Sequence, residues 1–304
     1  MRPLLVSLAF ILFSKGINAQ DTLRHNPDDT LRRNEISALF SAGPFIYADG
    51  IILLNYYHWH SNDIRTRFHF SNDYSEYLQV DKFKHAYGSY LESYLGYGLL
   101  KNLGVKKSIA LIFGGAAGFF IQTPKELFDG FYESAGFSWS DVIANACGSI
   151  LFTGQELIFG EQVVKYKFSF SKSKYADISN GYLGDNLLEN YFEDYNGHTY
   201  WLSLNANRIF FKKTIPGWLN FAVGYSANGM IGRFENIDSY HGIQIPITQR
   251  YRQFLFSLDI DWTKIRTQSK TLRILLQGMN FIKIPFPALE INSLGKVKGY
   301  LIYF

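Results

Sequence analysis

Two hydrophobic periodicities divide this chain. From Asp81 to Phe159 apolar positions are dense, and polar residues recur at helical spacing. Three segments there read as helices: residues 82 to about 103, residues 108–122 with a restart at Pro124, and residues 141 to about 159. Beyond His198 the period is two. Leu219, Phe221, Val223, Tyr225 and Ala227 alternate with Asn220, Gly224, Ser226 and Asn228, and Phe254, Phe256, Leu258, Ile260 and Trp262 alternate with Ser257, Asp259, Asp261 and Thr263. Leu202, Leu204 and Ala206 alternate with Ser203, Asn205 and Asn207; residues 271–283 and 296–304 also read as strands, as do the less regular residues 64–70 and 165–171. Residues 51–60 suit a helix or a strand. Residues 171–198, polar and turn-rich, read as a long loop.

The pattern predicts an α+β fold, in which an apolar three-helix unit packs with an antiparallel β-sheet or a small outer-membrane-type β-barrel. The boundaries that follow are a signal peptide at 1–19, a leader with N-terminal strand or helix segments at 20–80, a helical domain at 81–160 and a C-terminal antiparallel β region at 161–304. Strands near ten residues suit a membrane barrel, and counting the uncertain ones gives about eight, the smallest barrel. Trp201, Trp218 and Trp262 fall near predicted strand ends, as girdle residues would, and the chain closes on Tyr300-Leu301-Ile302-Tyr303-Phe304, as barrel strands of bacterial outer membranes do. A half-buried ordinary sheet fits the same alternation.

Composition sharpens the location. Met1-Arg2, an apolar run from Leu4 to Phe13 and a small residue at Ala19 form the layout of a secretory signal peptide. The run is too short to span a bilayer. Cys147 is the only cysteine, so no disulfide forms within the chain; in its apolar setting it reads as a small buried hydrophobe. The net charge is +4; without Arg2 and Lys15 it is 28 basic against 26 acidic residues, which argues against a nucleic-acid partner. Aromatic residues make up 17% of the chain, with 27 Phe and 21 Tyr, a richness that suits an aromatic core or membrane girdles. The outer membrane is the expected partner. Gly114-Gly115-Ala116-Ala117-Gly118 offers little side-chain bulk and invites close helix approach, and each apolar stretch falls short of the ~20 residues of a spanning helix, which favours a buried bundle.

The candidate chemistry lies in three polar pairs three or four residues apart, each on one helix face: Asp81 with His85, Glu126 with Asp129, and Asp141 with Asn145. Helix starts explain some of them. Thr123-Pro124-Lys125-Glu126 and Ser138-Trp139-Ser140-Asp141 fit capping boxes, and Asp81 fits an N-cap. Capping does not explain His85 one turn inside the first helix, Asp129 before Gly130, or Asn145 in mid-helix. Two chemistries suit the set. One or two divalent metals would be held by His85 with carboxylates such as Asp81 and Glu126. Alternatively, His85 acts as a general acid/base oriented by Asp81. The His58-Trp59-His60 pair reads as incidental. No Gly-x-Ser-x-Gly, phosphate-binding lysine loop or His-Glu-x-x-His occurs.

The order Asp81-Lys82-x-x-His85, Lys125-Glu126-x-x-Asp129, Gly136-Phe137-Ser138-Trp139-Ser140-Asp141 and Asn145-x-x-Gly148 resembles the YfiM-like family of periplasmic lipoproteins, built on a domain of unknown function. It is more loosely similar to VanZ-like membrane proteins. The stretch from Tyr195 to Ser203 looks like longer family members with an added C-terminal region. The resemblance implies an envelope location and the same six polar residues, and supplies no reaction. No cysteine follows the signal here, a departure from the lipoprotein pattern. Three function classes stay open: an outer-membrane-associated protein of unknown role, a metal-dependent or acid/base hydrolase of an envelope lipid or glycan, and a scaffold or small-molecule binder.

Overall fold

The computed structural model describes residues 63–207 and 215–304. The signal segment, residues 51–60 and the His58–His60 pair lie outside them. The chain enters through a two-residue strand, β1 (Phe70–Ser71), and a 3-10 turn at Glu76–Gln79. Tyr77, Leu78 and Gln79 all have positive φ (43°, 52° and 69°), a strained region for L side chains. The turn is held from outside: Tyr77 stacks on Tyr195 at 4.0 Å, and Arg252 donates two hydrogen bonds to Gln79 Oε1.

The helical unit then follows: α1 (Val80–Asn102), α2 (Lys107–Gly115), α3 (Ala117–Asp129) and α4 (Trp139–Ile158). Glycines let the helices touch along their backbones. A Cβ on Gly118 would lie 1.9 Å from the Ser89 carbonyl oxygen, and one on Gly148 2.1 Å from that of Ala86. Both α3 and α4 therefore pack onto α1 where only glycine fits. Ser138 accepts a hydrogen bond from the Asp141 amide at 3.0 Å and caps α4, as its capping box predicts. The other two expected caps fail. Gln79, not Asp81, occupies the N-cap of α1, and the Asp81 side chain meets Lys82 instead. Thr123-Pro124 lies inside α3, and the helix break falls earlier, at Ala116 after the poor helix formers Gly114 and Gly115.

The β region is one antiparallel six-stranded sheet, in the order β10-β9-β8-β5-β4-β3. Its strands are β3 (Val164–Phe170), β4 (His198–Asn205), β5 (Leu219–Asn228), β8 (Tyr251–Ile260), β9 (Phe286–Asn292) and β10 (Val297–Tyr303). Small ladders, β1 with β2 (Phe137–Ser138) and β6 (Ser239–Tyr240) with β7 (Ile243–Gln244), stand apart. Among the described residues the sheet does not close into a barrel. The outer edge of β3 pairs with Phe281 and Lys283, through Phe168 N–H to Phe281 O (3.0 Å) and Lys283 N–H to Phe168 O (2.9 Å), and not with β10.

Several local expectations are corrected. Most of residues 271–283 form a helix, α7 (Lys270–Met279), because Leu272, Leu275, Leu276 and Met279 recur at helical spacing behind the Ser269 cap. The alternation over residues 64–70 yields only the short β1. The segment 171–198 carries two short helices, α5 (Lys174–Ile178) and α6 (Leu187–Glu193). Cys147 is exposed on α4 and not buried. Trp201 sits fully buried in the middle of β4, where its indole donates to Ser169, so it is no girdle residue.

The inner face of the sheet holds buried polar and charged side chains around a small apolar cluster of Trp201, Ala222, Leu255 and Ala288, and the outer face is apolar. Inward lie Lys165, Lys167, Ser203, Asn220, Gln253, Asp259 and Glu290, all buried. Outward lie Phe221, Val223, Phe254, Phe256, Leu258, Leu289 and Ile291, all exposed. The helical unit covers the β3–β4 end of that outer face. Tyr87 and Tyr90 of α1 pack on Tyr166, Phe168 and Tyr200, and Phe83 stacks on Tyr225 at 4.5 Å. Such ring pairs contribute about 0.5–1.5 kcal/mol each beyond area burial.

Candidate functional site

Where the N-termini of α1 and α4 meet the C-terminal end of α3, polar side chains turn inward and converge. The His85 imidazole is central: its Nε2 lies 3.7 Å from both Asp81 and Asp141, and its Nδ1 lies 3.3 Å from Asn145 Oδ1 and 3.6 Å from Glu126. Asp129 stands further out, tied to Glu126 through Lys125 Nζ, which reaches them at 3.1 and 3.5 Å respectively. All six are buried. Asn145 Nδ2 has no protein partner among the described residues.

Sequence reasoning missed the charged partners. Lys82 drives its ammonium between Asp141 (2.6 Å), Asp73 (2.9 Å) and Asp81 (3.0 Å), with Glu76 at 3.9 Å. Asp73 also accepts from Ser138 (2.6 Å) and Ser140 (2.5 Å). Glu76 is gripped in bidentate fashion by Arg233, from a distant loop, at 2.5 and 2.9 Å. Lys82 stood inside the recognised Asp-Lys-x-x-His motif. Asp73, Glu76 and Arg233 carry no local signal and join the cluster only through tertiary contacts.

The electrostatics follow from burial and crowding. Burial first, then the neighbouring Asp81, pushes Asp141 up to about 9, so it keeps its proton at neutral pH and hydrogen-bonds to Asp73. Burial opposes ionisation of Asp73 as well, yet hydrogen bonds from Asp141, Lys82, Ser138 and Ser140 hold it well below the usual carboxylate range. Burial raises Glu126 to about 7 against the pull of Lys125 and His85, and raises Glu76 to about 7 with help from Asp81. Burial keeps His85 toward its neutral form. In the tautomer that donates from Nδ1 to Asn145, Nε2 presents a lone pair between Asp81 and Asp141.

Two sets bring ligand atoms within 4.8 Å of one another: Asp81, His85 and Asp141, and Asp73, Glu76 and Asp81. Lys82 already neutralises the same oxygens, so a divalent ion would have to displace or repel its ammonium. The set suggested by sequence, Asp81, His85 and Glu126, is divided by the imidazole. Asp81 lies at Nε2 and Glu126 at Nδ1, so one ion on one ring nitrogen does not reach both.

Residues 69–153, which hold most of this cluster, match the model of a family described as predicted periplasmic lipoprotein (DUF2279). Neither the curated proteins nor the solved structures give a match. The chain is thus similar, over its helical unit, to periplasmic proteins of unknown function, and it is a cell-envelope protein of the Gram-negative periplasm. Among the described residues no helix is long and apolar enough to cross a membrane.

Proposed function

We propose that the chain is an outer-membrane-associated envelope protein that turns the outer face of its sheet toward lipid. The observation behind this reading is the reversed polarity of the sheet. A water-soluble antiparallel sheet puts apolar side chains inward and polar ones outward. Here Phe254, Phe256 and Leu258 of β8 face out while Gln253, Ser257 and Asp259 face in, with Leu255 the one apolar residue among them. Neighbouring strands repeat the arrangement, so the exposed residues form one contiguous patch of the kind that marks a protein or membrane contact. The test is fractionation of cells producing the full chain. Mature protein that resists salt and alkaline washes and needs detergent for release supports the reading; recovery in the soluble periplasmic fraction sinks it.

A second reading, a hydrolase of an envelope lipid or glycan, is favoured by neutral His85 standing between carboxyls at about 7 and about 9. It requires His85→Ala to abolish activity in a protein that still folds. The scaffold reading is favoured by Lys82, whose ammonium lies within 3.0 Å of the carboxyl groups of Asp73, Asp81 and Asp141. It requires Asp141→Asn to be tolerated. Elemental analysis of purified wild type beside His85→Ala separates the metal variant of the hydrolase from the metal-free one, since metal bound only by wild type assigns it to this cluster.

A further inference from the structure

The helical unit repeats the inversion seen in the sheet. Along α4 the residues Trp139, Ile143, Cys147, Ile150 and Leu157 are exposed, at spacings that keep them on one face, while Asp141, Asn145, Ser149, Gln155 and Glu156 are buried on the other beside Ala144 and Phe152. A helix beside water shows the opposite arrangement. Phe120, Leu127 and Phe128 of α3 and Ile112 and Phe113 of α2 are exposed too. One end of this surface is basic. Lys101, Lys106 and Lys107 are exposed at the α1–α2 turn, and no Asp or Glu occurs between Glu92 and Glu126. The Lys107 ammonium approaches the C-terminal end of α4, 3.7 Å from where a Cβ on Gly160 would sit.

We infer that α2, α3 and α4 form a second membrane-contact surface, which lays its apolar face among acyl chains and sets Lys101, Lys106 and Lys107 against anionic headgroups. Charge complementarity chooses lipid over a protein partner: an uncharged apolar face ending in lysines matches a bilayer whose apolar layer is rimmed by phosphates. The helical unit packs through Phe83 and Tyr90 of α1 on the outward, apolar side of the sheet, the side already read as facing lipid. The contact is made by one face, in the manner of an interfacial helix. The inference rests on the outer-membrane reading and extends it to a second surface.

The experiment uses mature full-length protein in vesicles of phosphatidylcholine with phosphatidylglycerol. A nitroxide is placed on native Cys147, or on Phe256→Cys in a Cys147→Ser background to report on the sheet. The Cys147 label is expected to be accessible to oxygen and shielded from a water-soluble nickel chelate. The triple variant Lys101→Gln, Lys106→Gln, Lys107→Gln is expected to lower vesicle affinity by about tenfold or more. A nickel-accessible Cys147 label beside a shielded Phe256 label overturns this inference and leaves the sheet reading standing. Both labels accessible to nickel overturn both. A Cys147 label shielded from both reagents shows a second copy of the chain on the stripe and overturns the lipid assignment, as does unchanged binding of the triple variant.

Discussion

The interior of the sheet and the interior of the helical unit are both polar, but they balance charge differently. In the sheet, Lys167 meets Asp259 at 2.7 Å and Lys165 meets Asp261 at 2.6 Å. Asp259 also accepts from Ser203. Buried Lys283 and Glu290 add one charge of each sign. In the helical unit Asp73, Glu76, Asp81, Glu126, Asp129 and Asp141 outnumber Lys82, Lys84, Lys125 and Arg233. A matched buried pair holds its charges and fixes a geometry. A surplus of carboxyls must bind protons or other cations, so its charge responds to pH. That difference makes the helical cluster, and not the sheet interior, the candidate for chemistry.

The largest expected effect tests the matched side. Lys167→Met strands Asp259 in a fully buried position and should cost about 3–5 kcal/mol in denaturant unfolding. Adding Asp259→Leu should restore most of it; a single variant within about 1 kcal/mol of wild type breaks the view that these pairs hold the sheet.

Lys82→Met tests the surplus side. The stranded carboxyls can take up protons, so the loss should depend on pH: on the order of 3 kcal/mol near pH 8 and much less below pH 5. A loss that does not vary with pH would make this cluster behave like the sheet interior.

Asp141 sharpens the contrast further. Its folded value of about 9 lies above the ordinary 3.8, so unfolding releases a proton between those values. The group's stabilising contribution is complete below about pH 4 and is lost as pH rises toward 9. Asp141→Asn lacks that proton. Its melting temperature relative to wild type should therefore climb steadily as pH rises from about 4 toward 9. Asp73, held low, works in the opposite sense: its contribution is present above pH 3.8 and falls away in acid. A flat difference between Asp141→Asn and wild type would show that Asp141 is ionised at neutral pH.

The smallest effect is a control. Lys264 and Glu161 pair at 2.8 Å on the surface, and Lys264→Gln should change stability by no more than about 0.5 kcal/mol. A larger change would mean that burial is not what separates the two classes of ion pair.

Much of this protein was written in local order. Period-two runs gave β5 and β8, and Ser138-x-x-Asp141 marked the start of α4, because strand alternation and capping depend on residues a few positions apart. Helical spacing also put Asp81 with His85 and Asp141 with Asn145. Tertiary structure decided the rest. It brought Lys82 to Asp141 across a helix interface, Asp73 to both of them, and Arg233 to Glu76 from 157 residues away. Above all it decided polarity. Alternation in β8 and in α4 tells that a segment has two faces, and it is silent on which one turns inward. That choice is set by which neighbours supply partners: Lys167 for Asp259, Lys82 for Asp141, and no apolar cover for Phe256 or Ile150 among the described residues.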